Sequence, residues 1–487
     1  MLFTEPSFLF LFLPVLLALY FLPTLKGSAY ATLKGSAYGQ RPHGGYANVL
    51  LLAASVLFYA RGGGAFTWLM LGSIAFNYFM AIAVARDRSK AWLAAAIAVN
   101  LLVLGVFKYA NFFADNVNAL LTALHVGPFA VPHVLLPIGI SFYTFHAISY
   151  VVDVYRGDAT AQKSPVHAAL YLLLFPQLIA GPIIRYREIA DQLARRVVRI
   201  DDFAEGARRF IVGLGKKVLI ANNVATAADG IFALAPSELT AAHAWLGIVC
   251  YTLQIYFDFS GYSDMAIGLG RMFGFRFPEN FRWPYVADTV QDFWRRWHMS
   301  LSSWFRDYLY VPLGGNRVSK HRMYFNLVLV FFLCGLWHGA SWSFVVWGLY
   351  HGTFLVVERL GLAGVVRRFP APVRHAYLLL VVMIGWLFFR ADTLQHAVTY
   401  LGAMTGATAP GVKPFDAAWF LTPKVALAIF AGAIGSAPLF QAAEIERRAS
   451  RGWLAEAAAT TALVAILAAS ILQIAGRSYD PFIYFRF

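Results

Sequence analysis

Phe325-Asn326-Leu327-Val328-Leu329-Val330-Phe331-Phe332-Leu333-Cys334-Gly335-Leu336-Trp337-His338 runs straight into Gly339-Ala340-Ser341, and then into Trp342-Ser343-Phe344-Val345-Val346-Trp347-Gly348. Two apolar stretches, 324–337 and 341–358, thus meet at a break of small residues with one histidine at the junction. Neither stretch offers water a polar face, so both read as helices embedded in a membrane. The rest of the chain has the same character. Of 487 residues, 59% are hydrophobic, 16% aromatic and only 13% charged. A soluble domain carries roughly 25% charge, so this chain has about half of what a wetted surface needs. That excludes a cytosolic globular enzyme, a disordered chain and a secreted disulfide scaffold. The two cysteines, Cys250 and Cys334, both lie in apolar runs and cannot form a disulfide framework.

The expected fold is therefore an all-α polytopic integral membrane protein. A crossing takes about 20 apolar residues, and candidate segments recur from 7–23 to 456–475. The N-terminus lacks a basic leader, so 7–23 reads as a retained first span. The net charge of +15 sits in short loops, the pattern that marks the cytoplasmic side. Nucleic acid is excluded as a partner, because no basic face exists apart from these loops. Segment 168–184 breaks the alternation: basic residues flank it on both sides, and Pro176, Gln177 and Gly181-Pro182 interrupt it. Non-helical backbone at membrane depth must be buried in protein or line a cavity, so this segment reads as re-entrant. About 11–13 crossings remain, with both termini outside. An eight-residue duplication at 24–39 reads as a lengthened cytoplasmic loop.

Ionisable groups inside a membrane protein are costly and are functional candidates by default. The densest set lies between 254 and 358. It includes Asp258 and Asp264, the run Asp292-Phe293-Trp294-Arg295-Arg296-Trp297-His298, the run Arg306-Asp307-Tyr308-Leu309-Tyr310, and Leu313-Gly314-Gly315-Asn316-Arg317. The alternation of aromatic and basic residues over 288–310 suits an interfacial helix whose tryptophans share one face. His298 could equally face inward. His338 is the sharpest signal, since an imidazole tolerates burial and titrates where proton transfer is useful. A hydrogen-bonded structural histidine is the competing reading. Cys334, one turn earlier, reads as a small buried residue. No metal-ligand spacing, P-loop or nucleophile elbow occurs. The chain ends in Phe482-Ile483-Tyr484-Phe485-Arg486-Phe487, an aromatic terminus that suits either a membrane anchor or insertion into the protein.

Residues 254–358 resemble the membrane-bound O-acyltransferase family. Trp337-His338-Gly339 is similar to the family's histidine motif, and Asp292–Arg317 to the stretch that carries its second polar position, here His298. The long runs quoted above, with Gly181-Pro182-Ile183 and Phe257-Asp258-Phe259-Ser260-Gly261-Tyr262, resemble the branch that O-acetylates bacterial polysaccharides such as alginate, peptidoglycan and cellulose. The resemblance implies one membrane acyltransferase domain over 1–487 and a bundle with re-entrant and interfacial helices around a central tunnel. Its catalytic core would be 254–358. The last span with its outward aromatic motif, 456–487, is similar to a small partner of the teichoic-acid D-alanylation system.

The same resemblance implies the chemistry. An acyl group passes from a cytoplasmic thioester donor, acetyl-CoA, to a hydroxyl, with no bound cofactor and no metal. His338 and His298 would be the catalytic pair, with His338 deprotonating the hydroxyl or handling the acyl group directly, and His298 orienting the donor or polarising its carbonyl. Arg295, Arg296, Arg306, Asn316 and Arg317 are candidates for binding the anionic donor. Tyr484 is the candidate acyl relay, because a phenol of pKa near 10 makes a better leaving group than an alkyl alcohol. A periplasmic partner with a serine nucleophile would complete transfer to the polysaccharide, which places the protein in the bacterial inner membrane. A reading of another class, an exporter of lipid or glycan without chemistry, also suits a polar core. The absence of paired broken helices counts against it.

Overall fold

The computed structural model describes residues 1–28, 45–407, 415–439 and 452–476. Most of the duplicated stretch 24–39 and the whole C-terminal motif with Tyr484 lie outside the described residues. Every regular element among the described residues is helical. Five helices are long and apolar enough to cross a membrane: Phe66–Asp87, Lys90–Ala123, Trp342–Val366, Ala371–Arg390 and Trp453–Ala475. Other apolar helices are either short, such as Phe8–Leu22 and Pro423–Gly435, or rich in buried polar groups. Ala241–Met272 is of the latter kind, burying Thr252, Gln254, Asp258, Ser260 and Ser263.

The chain divides into two compact units. The first comprises Met1–Phe210 and Ser263–Pro278. It contains α1 (Leu13–Ser28), α2 (Gly45–Gly63), α3 (Phe66–Asp87), α4 (Lys90–Ala123), α5 (Ile140–Arg156), α6 (Pro165–Leu173), α7 (Phe175–Leu178) and α8 (Tyr186–Ala194). Helices α3 and α4 are joined by a buried pair of carboxamides. Asn77 Nδ2 donates to Asn100 Oδ1 at 3.1 Å, and Asn100 Nδ2 returns the bond to Asn77 Oδ1 at 2.7 Å. Such reciprocal bonds hold helices together where lipid offers no hydrophobic drive.

The segment expected to be re-entrant is broken in the structure. Helix α6 stops at Leu174, whose ψ of 113° leaves the helical region, and after the single turn of α7 the chain is irregular to Ile184. Nearly every residue from Ala168 to Ile184 is buried. Side chains of the same unit bond several of its backbone groups. His146 of α5 accepts the Ile184 N–H on Nε2 at 3.2 Å, and Gln177 Nε2 donates to the Tyr171 carbonyl. The Tyr171 hydroxyl lies 2.8 Å from Ser149 Oγ.

The second unit comprises Ile211–Tyr262 and Glu279–Phe487. Its elements include the end of α9 (Ile200–Gly215), α10 (Asn222–Phe232), most of α11 (Ala241–Met272), α12 (Val290–Arg296), α13 (Met299–Phe305), α14 (Lys320–His338) and α15 (Trp342–Val357). Lys217 and Asp258 form a buried ion pair at 2.7 Å. The last described helix, Trp453–Ala475, is keyed to this unit by Gln473, whose Nε2 donates to the Val218 carbonyl at 2.9 Å and lies 3.2 Å from Asn223 Oδ1.

Helices α14 and α15 form the hairpin that carries His338. They approach so closely that a Cβ on Gly335 would lie 2.3 Å from the Phe344 carbonyl, and one on Gly348 would lie 2.3 Å from the Phe331 carbonyl. Larger residues at either point would push the helices apart. The hairpin turns at Gly339, which is extended (φ −162°, ψ 150°). A side chain there would strike the Phe344 ring at 2.1 Å. The small-residue break therefore ends α14 at His338 and lets α15 fold back over it.

Candidate active site

A cavity of about 210 Å³ opens within the second unit, and His298 and His338 both line it. Two histidines 40 residues apart in the chain are thus brought to one space. Trp337 stands between them, its ring 6.3 Å from His298 and 4.8 Å from His338. His338 is 6% exposed and is walled by aromatics, with Trp347 and Phe389 each 5.1 Å away. Cys334 lies on the same cavity, one turn earlier on α14, and is buried as expected.

His298 is placed by a break that the aromatic pattern conceals. Residues 288–310 do not form one interfacial helix. Helix α12 ends at Arg296, Trp297 is extended (φ −101°, ψ 129°), and His298 adopts the left-handed conformation (φ 44°, ψ 53°) before α13 begins. For a residue with a side chain, that conformation costs roughly 1–2 kcal/mol. Strain of this kind persists only where the surroundings enforce it. The tryptophans correct the expectation as well. Trp294, Trp297 and Trp304 are all buried within protein instead of facing lipid, and the Trp297 ring packs 4.7 Å from Trp386. Packing of these rings with Phe293 and Phe281 fixes the bend.

The electrostatics at His298 are those of a dry pocket. It is 1% exposed, with the Phe259 ring 4.6 Å away. It lies between α12 and α13, outside the apolar crossings, and burial pushes its imidazole down to about 3. The ring is therefore neutral near pH 7. Nδ1 lies 3.1 Å from Asn280 Oδ1, while Nε2 is buried with no hydrogen-bonding partner among the described residues.

The basic candidates divide. Arg295 and Arg306 line the cavity and are exposed to solvent, Arg306 also pairing with Asp307 at 2.7 Å. Arg296 is held instead by Asp292 at 2.7 Å and does not line it. Neither Asn316 nor Arg317 lines it; Asn316 accepts a bond of 2.7 Å from Tyr310, which does. Two further residues, one lining the cavity and one bonded to His298, escaped sequence reasoning. Arg359, just past the end of α15, reaches the same rim, with Nη1 3.4 Å from the Met323 sulfur. Asn280 lies outside the motif runs. The carboxylates Asp258 and Asp264, by contrast, are engaged by Lys217 and Arg209. No group of three or more potential metal ligands occurs among the described residues.

The arrangement can bring a polar acyl group and a hydroxyl to two imidazoles, that of His298 neutral, with guanidinium groups outside. Its volume is smaller than the roughly 300–1,000 Å³ of sites that engulf a drug-sized ligand. It suits the reactive end of a larger molecule.

Comparison with known proteins agrees with this geometry. The model of the family described as "MBOAT, membrane-bound O-acyltransferase family" matches residues 159–395, which include both histidines. The chain is 42% identical to the "Probable alginate O-acetylase AlgI" of Azotobacter vinelandii, and 43% identical to the protein of the same name from Pseudomonas putida. Each alignment covers 100% of both chains. It is 38% identical to the peptidoglycan O-acetyltransferase of Helicobacter pylori, over 83% of this chain and 80% of that one. With full-length relatives at this identity and two histidines on one buried cavity, the chain belongs to the membrane-bound O-acyltransferase family and is an acyltransferase.

Proposed function

We propose that this protein takes an acetyl group from acetyl-CoA on the cytoplasmic side of the bacterial inner membrane and delivers it for O-acetylation of an exported polysaccharide of the alginate type. The observation that carries the reading is the single cavity shared by His298 and His338, with Arg295, Arg306 and Arg359 at its rim. A thioester needs no metal to react; it needs a base, a fixed geometry and exclusion of water. The arginines attract the phosphates of the donor, and the imidazoles handle the proton of the incoming hydroxyl. The full-length relatives named for alginate favour that polymer over peptidoglycan.

A polymer does not fit a space of about 210 Å³, so the acetyl group leaves on a carrier. Tyr484 is proposed as that carrier on sequence grounds alone, since it lies outside the described residues. Both termini are then periplasmic, and a periplasmic partner with a serine nucleophile takes the group to the polysaccharide. The experiment is reconstitution in lipid vesicles with labelled acetyl-CoA, reading release of free CoA and mass spectrometry of the C-terminal peptide. Acetyl-CoA consumption with an acetyl adduct on the peptide, lost in Tyr484→Phe, is the expected result. Consumption without the adduct rejects the relay. Glycan movement without any consumption of acetyl-CoA makes the protein an exporter.

A further inference from the structure

The hydrogen bonds of Asn280 and Ser300 beside His298 determine which of its nitrogens carries the proton. Asn280 Oδ1 lies 3.2 Å from the Ser300 backbone N–H, 2.9 Å from Ser300 Oγ and 3.1 Å from His298 Nδ1. A backbone N–H can only donate, so the carboxamide atom facing it is the oxygen and not the nitrogen. An oxygen at 3.1 Å from Nδ1 in turn requires that Nδ1 be the donor. The neutral imidazole then has its lone pair on Nε2, the atom left without a partner among the described residues, on a ring that lines the cavity. Asn280 is itself tied to the same turn, because its carbonyl accepts the Met299 N–H at 2.9 Å. The left-handed backbone of His298 (φ 44°) is thus held by Asn280 through the two residues that follow it.

We infer that Asn280 is a positioning residue for acyl transfer: it holds His298 in the Nδ1–H tautomer, so that Nε2 is a base facing the cavity. This rests on the acyl-transfer reading above and changes one role within it. In this tautomer Nε2 has no hydrogen with which to polarise a donor carbonyl; it accepts a proton. The acceptor hydroxyl gives its proton to Nε2 while its oxygen attacks the thioester carbonyl carbon. The carbon–oxygen bond forms and the carbon–sulfur bond breaks. The leaving thiolate then takes the proton from Nε2, which returns the ring to its starting tautomer. The Nδ1–H···Oδ1 bond persists throughout and steadies the imidazolium formed on the way. His338, Cys334 and Tyr310 are the other titratable groups on this cavity, and Arg295, Arg306 and Arg359 its fixed charges.

The test compares Asn280→Asp, which keeps an acceptor at Nδ1, with Asn280→Leu, which has none, in the full-length protein in lipid vesicles with acetyl-CoA. His298→Ala is assayed beside them. Asn280→Leu is expected to lose about 10- to 100-fold in kcat with KM for acetyl-CoA within about twofold. Asn280→Asp is expected to recover most of that loss, and its acid limb to move to higher pH, because a carboxylate favours the imidazolium. Wild-type kcat in Asn280→Leu overturns the inference. So does an Asn280→Asp variant no more active than Asn280→Leu, or one whose acid limb has not moved. Should Asn280→Leu fail to fold, the acid limb of Asn280→Asp decides alone. Full activity in His298→Ala is a different failure, that of the acyl-transfer assignment itself.

Discussion

His146 in the first unit and His298 in the second are both almost completely buried, yet the fold uses their nitrogens in opposite ways. His146 Nε2 accepts a backbone N–H, that of Ile184, at 3.2 Å. Its lone pair is spent on holding the broken segment after α7, where a buried amide would otherwise be left without a partner. His298 meets an acceptor instead, Asn280 Oδ1, through Nδ1. Its lone pair is left over, on a cavity. Burial and residue type are the same; the two differ in whether the fold consumes the lone pair, and on the proposed reading that difference makes His298 the reactive one.

The largest expected effect that sharpens this contrast is at His298. Removal of a positioned base typically costs 10²–10⁴-fold in rate, so His298→Ala should lose about that much acetyl transfer while retaining its helical content and melting temperature. The charge state adds a sign. Burial holds His298 neutral when folded, whereas the unfolded chain takes up a proton near pH 6.5. Its contribution to stability is therefore present above pH 6.5 and is lost as pH falls from 6.5 toward 3. A smaller effect of another kind is expected at His146. His146→Leu strands the Ile184 N–H, a loss of roughly 1–3 kcal/mol, seen as a lower melting temperature. Turnover per folded molecule should stay within about twofold of wild type. An inactive but stable His146→Leu would break the comparison.

The smallest effect is expected at the rim. Arg359→Gln should raise KM for acetyl-CoA about two- to fivefold and leave kcat unchanged, in line with the 0.2–1 kcal/mol of an exposed charge pair. Added salt should shrink the difference. An unchanged KM at low ionic strength would remove Arg359 from donor binding.

How much of this was legible in the sequence depends on the range of the interactions. The apolar runs, the break at Gly339-Ala340-Ser341 and the histidine before it are local features, and they led to the α14–α15 hairpin and to His338. The interruption of 168–184 was equally visible, because Pro176 and Gly181-Pro182 are local breakers. The bend at Trp297-His298 was not. It contains neither glycine nor proline, and aromatic packing from distant rings such as Trp386 imposes it. Asn280 was hidden for the same reason: it is 18 residues from His298, and nothing in an isolated asparagine announces which donors will converge on its oxygen. Arg359 lies outside the motif runs, and only the folded chain brings it to the cavity that holds the histidines.

The central claim is that the two cavity histidines carry the transfer. It is tested most directly by His298→Ala, purified in folded form and given labelled acetyl-CoA in lipid vesicles beside His146→Leu. The account predicts transfer per folded molecule reduced by about 10²-fold or more in His298→Ala and near wild type in His146→Leu. Wild-type transfer by His298→Ala would contradict it.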